Sequence, residues 1–96
     1  MQKNEIIKIL RKYKKEFSYQ YKILTIGVFG SVARDEAGHD SDVDIVVNIL
    51  EPDFFILAGI KIDLEQRLNK PVDIVSYRDS MSPFLKKQID NEAIYV

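Results

Sequence analysis

Asp42 and Asp44 stand at alternate positions, preceded in the same rhythm by Asp40, and the run goes straight into Ile45, Val46 and Val47. Carboxylates beside an apolar strand repel one another and resist desolvation, so the pattern asks for a cation. On a strand, Asp42 and Asp44 point to one face with Cα atoms ~7 Å apart, close enough to converge on one or two divalent ions. Asp73, between Val72 and Ile74, is equally out of place without a partner, and joins the pair if the two strands are neighbours. Three facing carboxylates with no arginine in their strands suit Mg²⁺, which prefers oxygen ligands and shares them with phosphates. Two such ions about 4 Å apart are the usual apparatus of in-line phosphoryl chemistry.

Gly30-Ser31 supplies the complementary half. Glycine lets a phosphate approach the backbone, a helix start offers free N–H groups, and the serine hydroxyl adds a donor. Arg34, one turn on, is placed to reach the same anion.

The elements that must carry these residues are legible as patterns. Asn4 to Phe17 has helical spacing, with Ile6, Ile9, Leu10, Tyr13 and Phe17 on one side and Lys8, Arg11, Lys12 and Lys15 opposite. Ile23 to Phe29 reads as a buried strand running into Gly30-Ser31. A short helix is predicted over Ser31 to Ala37, with Ser31 near its N-cap and Gly38 at C′. Asp42 to Asn48 is the second strand. Asp53 caps a helix from Phe54 to Leu68, stopped by Asn69-Lys70-Pro71, and Val72 to Tyr77 is the third strand. Ser82-Pro83 opens a last helix to about Asn91, and Ala93 to Val96 adds an edge strand. The order α-β-α-β-α-β-α predicts an α/β fold with a small sheet, and sites in such folds sit at strand ends.

Composition narrows the chemistry. The chain has 96 residues, enough for one hydrophobic core, and Lys+Arg 14 against Asp+Glu 15 argues against general attraction to nucleic acid or anionic membrane. No cysteine and one histidine exclude thiolate and histidine metal cages and thiol nucleophiles. The charged start, Met1 to Lys15, has no signal-peptide or membrane-span pattern, so a cytoplasmic protein is expected.

Blander readings stand beside these. The aspartates could be solvated strand-edge residues or caps. Asp40, Asp42, Asp44 and Glu51 also occupy positions one, three, five and twelve of an EF-hand loop, but the sixth position, which needs glycine, is Ile45. His39 is expected in solvent, the basic helix face is expected to be solvated, and Tyr13, Tyr19 and Tyr21 are expected to pack rather than stack on bases. Leu57, Ile60, Leu64 and Leu68 form one stripe of the Phe54–Leu68 helix, while Phe55, Ile62 and Ala58 lie on another, which either packs on the first helix or docks a partner.

Gly30-Ser31, ten residues, Asp42-Val43-Asp44 and then a strand aspartate, Asp73, resembles the nucleotidyltransferase superfamily of the DNA polymerase β type. "GSVARDEAGHDSDVDIVV", "LEQRLNKPVDIVS" and "QIDNEAIYV" together resemble the minimal nucleotidyltransferases that form the antitoxin half of HEPN/MNT toxin–antitoxin pairs. The resemblance implies one minimal domain over residues 1–96 with a mixed sheet. It implies Mg²⁺ held by Asp42 and Asp44, with Asp73 completing the metal site and serving as base. It also implies ATP phosphates at Gly30-Ser31, and AMP transfer to a tyrosine of a HEPN toxin. The chain departs from the family's common wording at Asp35, where glycine is usual. The alternative is an antitoxin that neutralises by binding alone. Transfer to a small molecule, as in kanamycin-modifying relatives, would need added structure to enclose the acceptor.

Overall fold

The computed structural model describes residues 2–38 and 41–96; the expectations for His39 and Asp40 lie outside them. The elements are α1 (Lys3–Tyr21), β1 (Ile23–Phe29), α2 (Gly30–Ala33), β2 (Val43–Ile49), α3 (Phe54–Leu68), β3 (Val72–Ser76), α4 (Pro83–Glu92) and β4 (Ile94–Tyr95). β1 and α3 begin and end where their patterns do. α1 continues one turn beyond Phe17, because Phe17 and Tyr21 add a stacked ring pair at 5.4 Å to the face that Tyr13 begins.

The sheet order is β3-β2-β1-β4, with β2–β3 parallel and the other two pairings antiparallel. Alternation along β2 sends Val43, Ile45, Val47 and Ile49 to one face, where they meet Ile6, Leu10 and Tyr13 of α1 and Ile60, Leu64 and Leu68 of α3. The opposite face holds a smaller cluster of Phe29 and Val46 with Ile89 of α4. Asp44 lies on this second face, in step with Val46. Gly27 lets β4 close on β1: a Cβ there would meet the Ile94 carbonyl oxygen at 2.7 Å.

Local chemistry sets the ends. The Asp53 carboxylate accepts from the Phe55 and Ile56 N–H groups at 2.7 and 3.3 Å, an N-cap as predicted. Asn69 ends α3 in the left-handed region, at φ 53. Ser82 precedes α4 without a side-chain cap bond, so Pro83 at the first turn marks that start instead. Tyr13 is buried as expected, and its hydroxyl donates to Asp63 at 2.8 Å, tying α1 to α3; burial, then that carboxylate, raises its pKa. Tyr19 departs from the packing expectation: at 95% exposure it lies in solvent, on the side of α1 away from the packed Phe17 and Tyr21. The EF-hand reading fails, because Val43 to Ile49 is a continuous paired strand rather than a loop. Among the described residues no helix is long and apolar enough to cross a membrane.

Candidate active site

The short helix is the main local departure from expectation. It ends at Ala33 rather than Ala37, and its stop is built from Asp35, not Gly38. The Glu36 N–H donates to the Ser31 carbonyl at 2.8 Å and the Asp35 N–H to the Val32 carbonyl at 3.1 Å, the bond pair of a Schellman motif with Asp35 at C′. Asp35 accordingly has φ 59, a conformation that glycine adopts without cost. The aspartate therefore stands at a position whose backbone suits the glycine usual in the resembling family, and its carboxylate is held by the Lys3 ammonium at 2.9 Å.

Ser31 is therefore not the N-cap. Phe29 holds that place in extended conformation, and Gly30 turns the chain with φ 72. A Cβ on Gly30 would fall on the Asp44 carboxylate, so glycine serves there both for its backbone and for the space it leaves. With only one turn, α2 adds little macrodipole; what it offers is donors.

The aspartates are brought together by pairing. β2 and β3 run parallel with Asp44 opposite Asp73, and antiparallel pairing sets Phe29, the residue before Gly30, opposite Asp44. The Val43 N–H donating to the Pro71 carbonyl at 2.9 Å, and the Glu65 carboxylate accepting from the Val72 N–H at 3.0 Å, hold the start of β3 in that register. Asp44 is half-buried, while Asp42 and Asp73 are exposed at its sides. Burial first, and then the Asp73 and Asp42 carboxylates, push the Asp44 carboxyl up, with Arg34 pulling the other way. A hard cation among these oxygens would reverse that penalty, and in this sense the donor set fits Mg²⁺. As the side chains stand, no three acidic or imidazole groups among the described residues form a ready metal cage.

Arg34 is exposed and shared between two carboxylates: its guanidinium donates to Glu92 at 2.9 Å and pairs with Glu36 at 3.4 Å. The Glu92 contact is the leading cause of its raised pKa. Glu92 also accepts from the Gly30 N–H at 3.2 Å. Nothing in the motif spacing singles out this glutamate. One signal was present: it is the last residue of α4, where a negative charge opposes the helix dipole unless something compensates it.

Residues 10–96 match the nucleotidyltransferase domain family, and the chain belongs to it. It is 39% identical over 93 residues to the protein adenylyltransferase MntA of Thermococcus cleftensis, a match spanning 96% of this chain and 93% of the relative. Its structure matches one chain of a crystal structure of a toxin–antitoxin with AMP-PNP at TM-score 0.72 and 28% identity, covering 99% of this chain and 72% of that one. It also matches one chain of the tri-AMPylated Shewanella oneidensis HEPN toxin in complex with MNT antitoxin, at TM-score 0.63 and 28% identity, over 97% and 66% of the two chains.

Proposed function

We propose that the chain transfers AMP from ATP to a hydroxyl, a tyrosine of a HEPN-family toxin, and acts in this way as that toxin's antitoxin in the cytoplasm. The observation that carries the reading is the Asp44–Asp73 pairing beneath the Gly30 turn, in a chain of the nucleotidyltransferase family that resembles a protein adenylyltransferase. Asp42, Asp44 and Asp73 would hold Mg²⁺, as two ions, which when bound offsets the charge of the triphosphate and acidifies the acceptor hydroxyl. Gly30, Ser31 and Arg34 bind the phosphates, Gly30 by its N–H and by its lack of a Cβ. Asp73, on the rim strand and exposed, faces the acceptor and takes its proton. The acceptor oxygen then bonds to the α-phosphorus as the bond to the β-phosphate oxygen breaks and pyrophosphate leaves, with Arg34 screening its charge. Incubating the protein with labelled ATP, Mg²⁺ and the HEPN protein encoded beside it tests the reading. Label and an added AMP mass on the HEPN protein are expected, and their absence rejects it.

The two sides of the site separate kinetically. Asp73→Asn should lower the transfer rate by about a hundredfold with little change in ATP affinity, because the side chain works on the acceptor. Ser31→Ala with Arg34→Ala should instead weaken ATP binding by about tenfold or more. Titration with AMP-PNP and single-turnover rates read the two effects independently; the reverse pattern exchanges the roles.

A binding role has its own observation. On α3, Phe55 is 82% and Ile62 55% exposed, so this stripe does not pack on α1. Phe54, 77% exposed, meets Phe55 edge-to-face at 5.8 Å and extends the patch beyond what the sequence pattern singled out. An apolar face of this kind suits a partner helix. Phe55→Ser with Ile62→Ser should weaken association with the HEPN protein by about tenfold or more while ATP binding and the far-ultraviolet dichroism persist. Undiminished co-elution places the interface elsewhere.

A further inference from the structure

The phosphate-binding donors proposed above are already engaged by an anion of the chain itself. Glu92 Oε2 takes the Gly30 N–H at 3.2 Å and the Arg34 guanidinium at 2.9 Å, and Oε1 takes the same guanidinium nitrogen at 2.9 Å. These contacts join residues far apart in sequence, the turn after β1 and the last residue of α4. They place a carboxylate where a backbone N–H and a guanidinium converge, the donor pair that recognises phosphate oxygens. The Glu92 side chain is 23% exposed and Arg34's 39%, so the contact is sheltered on one side and open to exchange on the other. Glu92 is also among the charges that raise Asp44, so the carboxylate lies within the electrostatic reach of the metal-binding candidates.

We infer that Glu92 is the site's resident anion: in the free chain its carboxylate satisfies the Gly30 N–H and Arg34, and it yields both to the phosphates of the incoming nucleotide. The inference rests on the nucleotide reading of the site and adds a residue to it. Two consequences follow. The resident carboxylate keeps the turn ordered without ligand, since it gives the Gly30 N–H a partner and ties Arg34, which also pairs with Glu36, to the end of α4. It also lowers the apparent affinity for phosphate-bearing ligands, because each must displace it. Glu92 is a positioning residue, since it acts through Gly30 and Arg34 rather than on the reacting atoms.

Calorimetric titration of the full chain with Mg²⁺-AMP-PNP, inorganic tripolyphosphate and adenosine tests this, comparing the native protein with Glu92→Gln and Glu36→Gln. Glu92→Gln should bind AMP-PNP and tripolyphosphate about fivefold or more tighter and adenosine unchanged, because the competition is with phosphate alone. Glu36→Gln removes the same charge from Arg34 but leaves the Gly30 N–H occupied, so its gain should be distinctly smaller. Equal gains from both variants would reduce Glu92 to a general surface charge and overturn the inference. So would unchanged or weaker tripolyphosphate binding by Glu92→Gln when circular dichroism shows it folded. Should the glutamine variant lose its fold, Glu92→Asp serves in its place: a carboxylate one methylene shorter loosens the grip, and an unchanged tripolyphosphate affinity counts against the inference. Failure of the native protein and every variant to bind AMP-PNP or tripolyphosphate would reject the nucleotide reading itself, and the inference with it. Native binding without a gain in the variants rejects the inference only.

Discussion

Asp44→Asn is expected to lower AMP transfer by about a thousandfold, a loss of several kcal/mol of transition-state stabilisation of the kind that follows removal of a central metal ligand. Asp42→Asn should do the same by the same argument. Stability should move the other way for Asp44→Asn. Burial and the neighbouring carboxylates raise the Asp44 pKa above its ordinary value of 3.8, so the folded chain holds this proton more tightly than the unfolded chain. That contribution to stability is fully present below the unfolded pKa and is lost as pH rises through the folded one. At neutral pH the native protein therefore carries a penalty that the asparagine variant lacks. The variant's melting midpoint should be higher at pH 7, and the difference should close as pH falls through the Asp44 range. Saturating Mg²⁺-ATP should raise the native midpoint and not the variant's, since a ligand stabilises only the state that binds it. Near-native transfer by either variant would remove both residues from the metal assignment. A lower midpoint for Asp44→Asn at pH 7 would mean that burial and repulsion do not penalise the native carboxylate.

Gly30→Ala should damage both fold and chemistry. The left-handed backbone, φ 72, costs an alanine about 1–2 kcal/mol. The new methyl would also collide with the Asp44 carboxylate, so that side chain or the turn has to move. Denaturant unfolding should show a loss of at least about 1 kcal/mol, and transfer should fall by about a hundredfold because a displaced carboxylate no longer meets its ion. The double variant Gly30→Ala with Asp44→Ala separates the two causes: the steric part of the destabilisation is regained and the backbone part is not, a non-additivity that a thermodynamic cycle measures. Full additivity would show that the alanine methyl and the carboxylate do not meet.

The sequence by itself determined the order of the elements and which residues to put forward as a candidate site. The strand period of two predicts Asp42 and Asp44 on one face, but β2 begins at Val43, so Asp42 stands just before the strand and only Asp44 takes its face from the pleat. The β-branched run of β1 ending at a glycine, and the Asp53 cap fifteen residues ahead of Leu68, are local features whose energetics are complete within a few residues. Hence β1 and α3 have the bounds their patterns predict. Where two local stops competed, the reading by residue type failed. The one-turn α2 stops at Asp35 through two backbone bonds and an ion pair to Lys3, 32 residues away, although Gly38 was the better terminator by composition. Only the tertiary structure decided that β2 and β3 are adjacent and parallel in the register that sets Asp44 beside Asp73, because the pairing is closed by contacts across α3 and not by either strand's own pattern. The same holds for Glu92. A carboxylate at a helix C-terminus is locally unfavourable, and it becomes explicable when α4 folds onto the second face of the sheet and delivers it, 62 residues from Gly30, to an N–H and a guanidinium that no sequence distance relates to it.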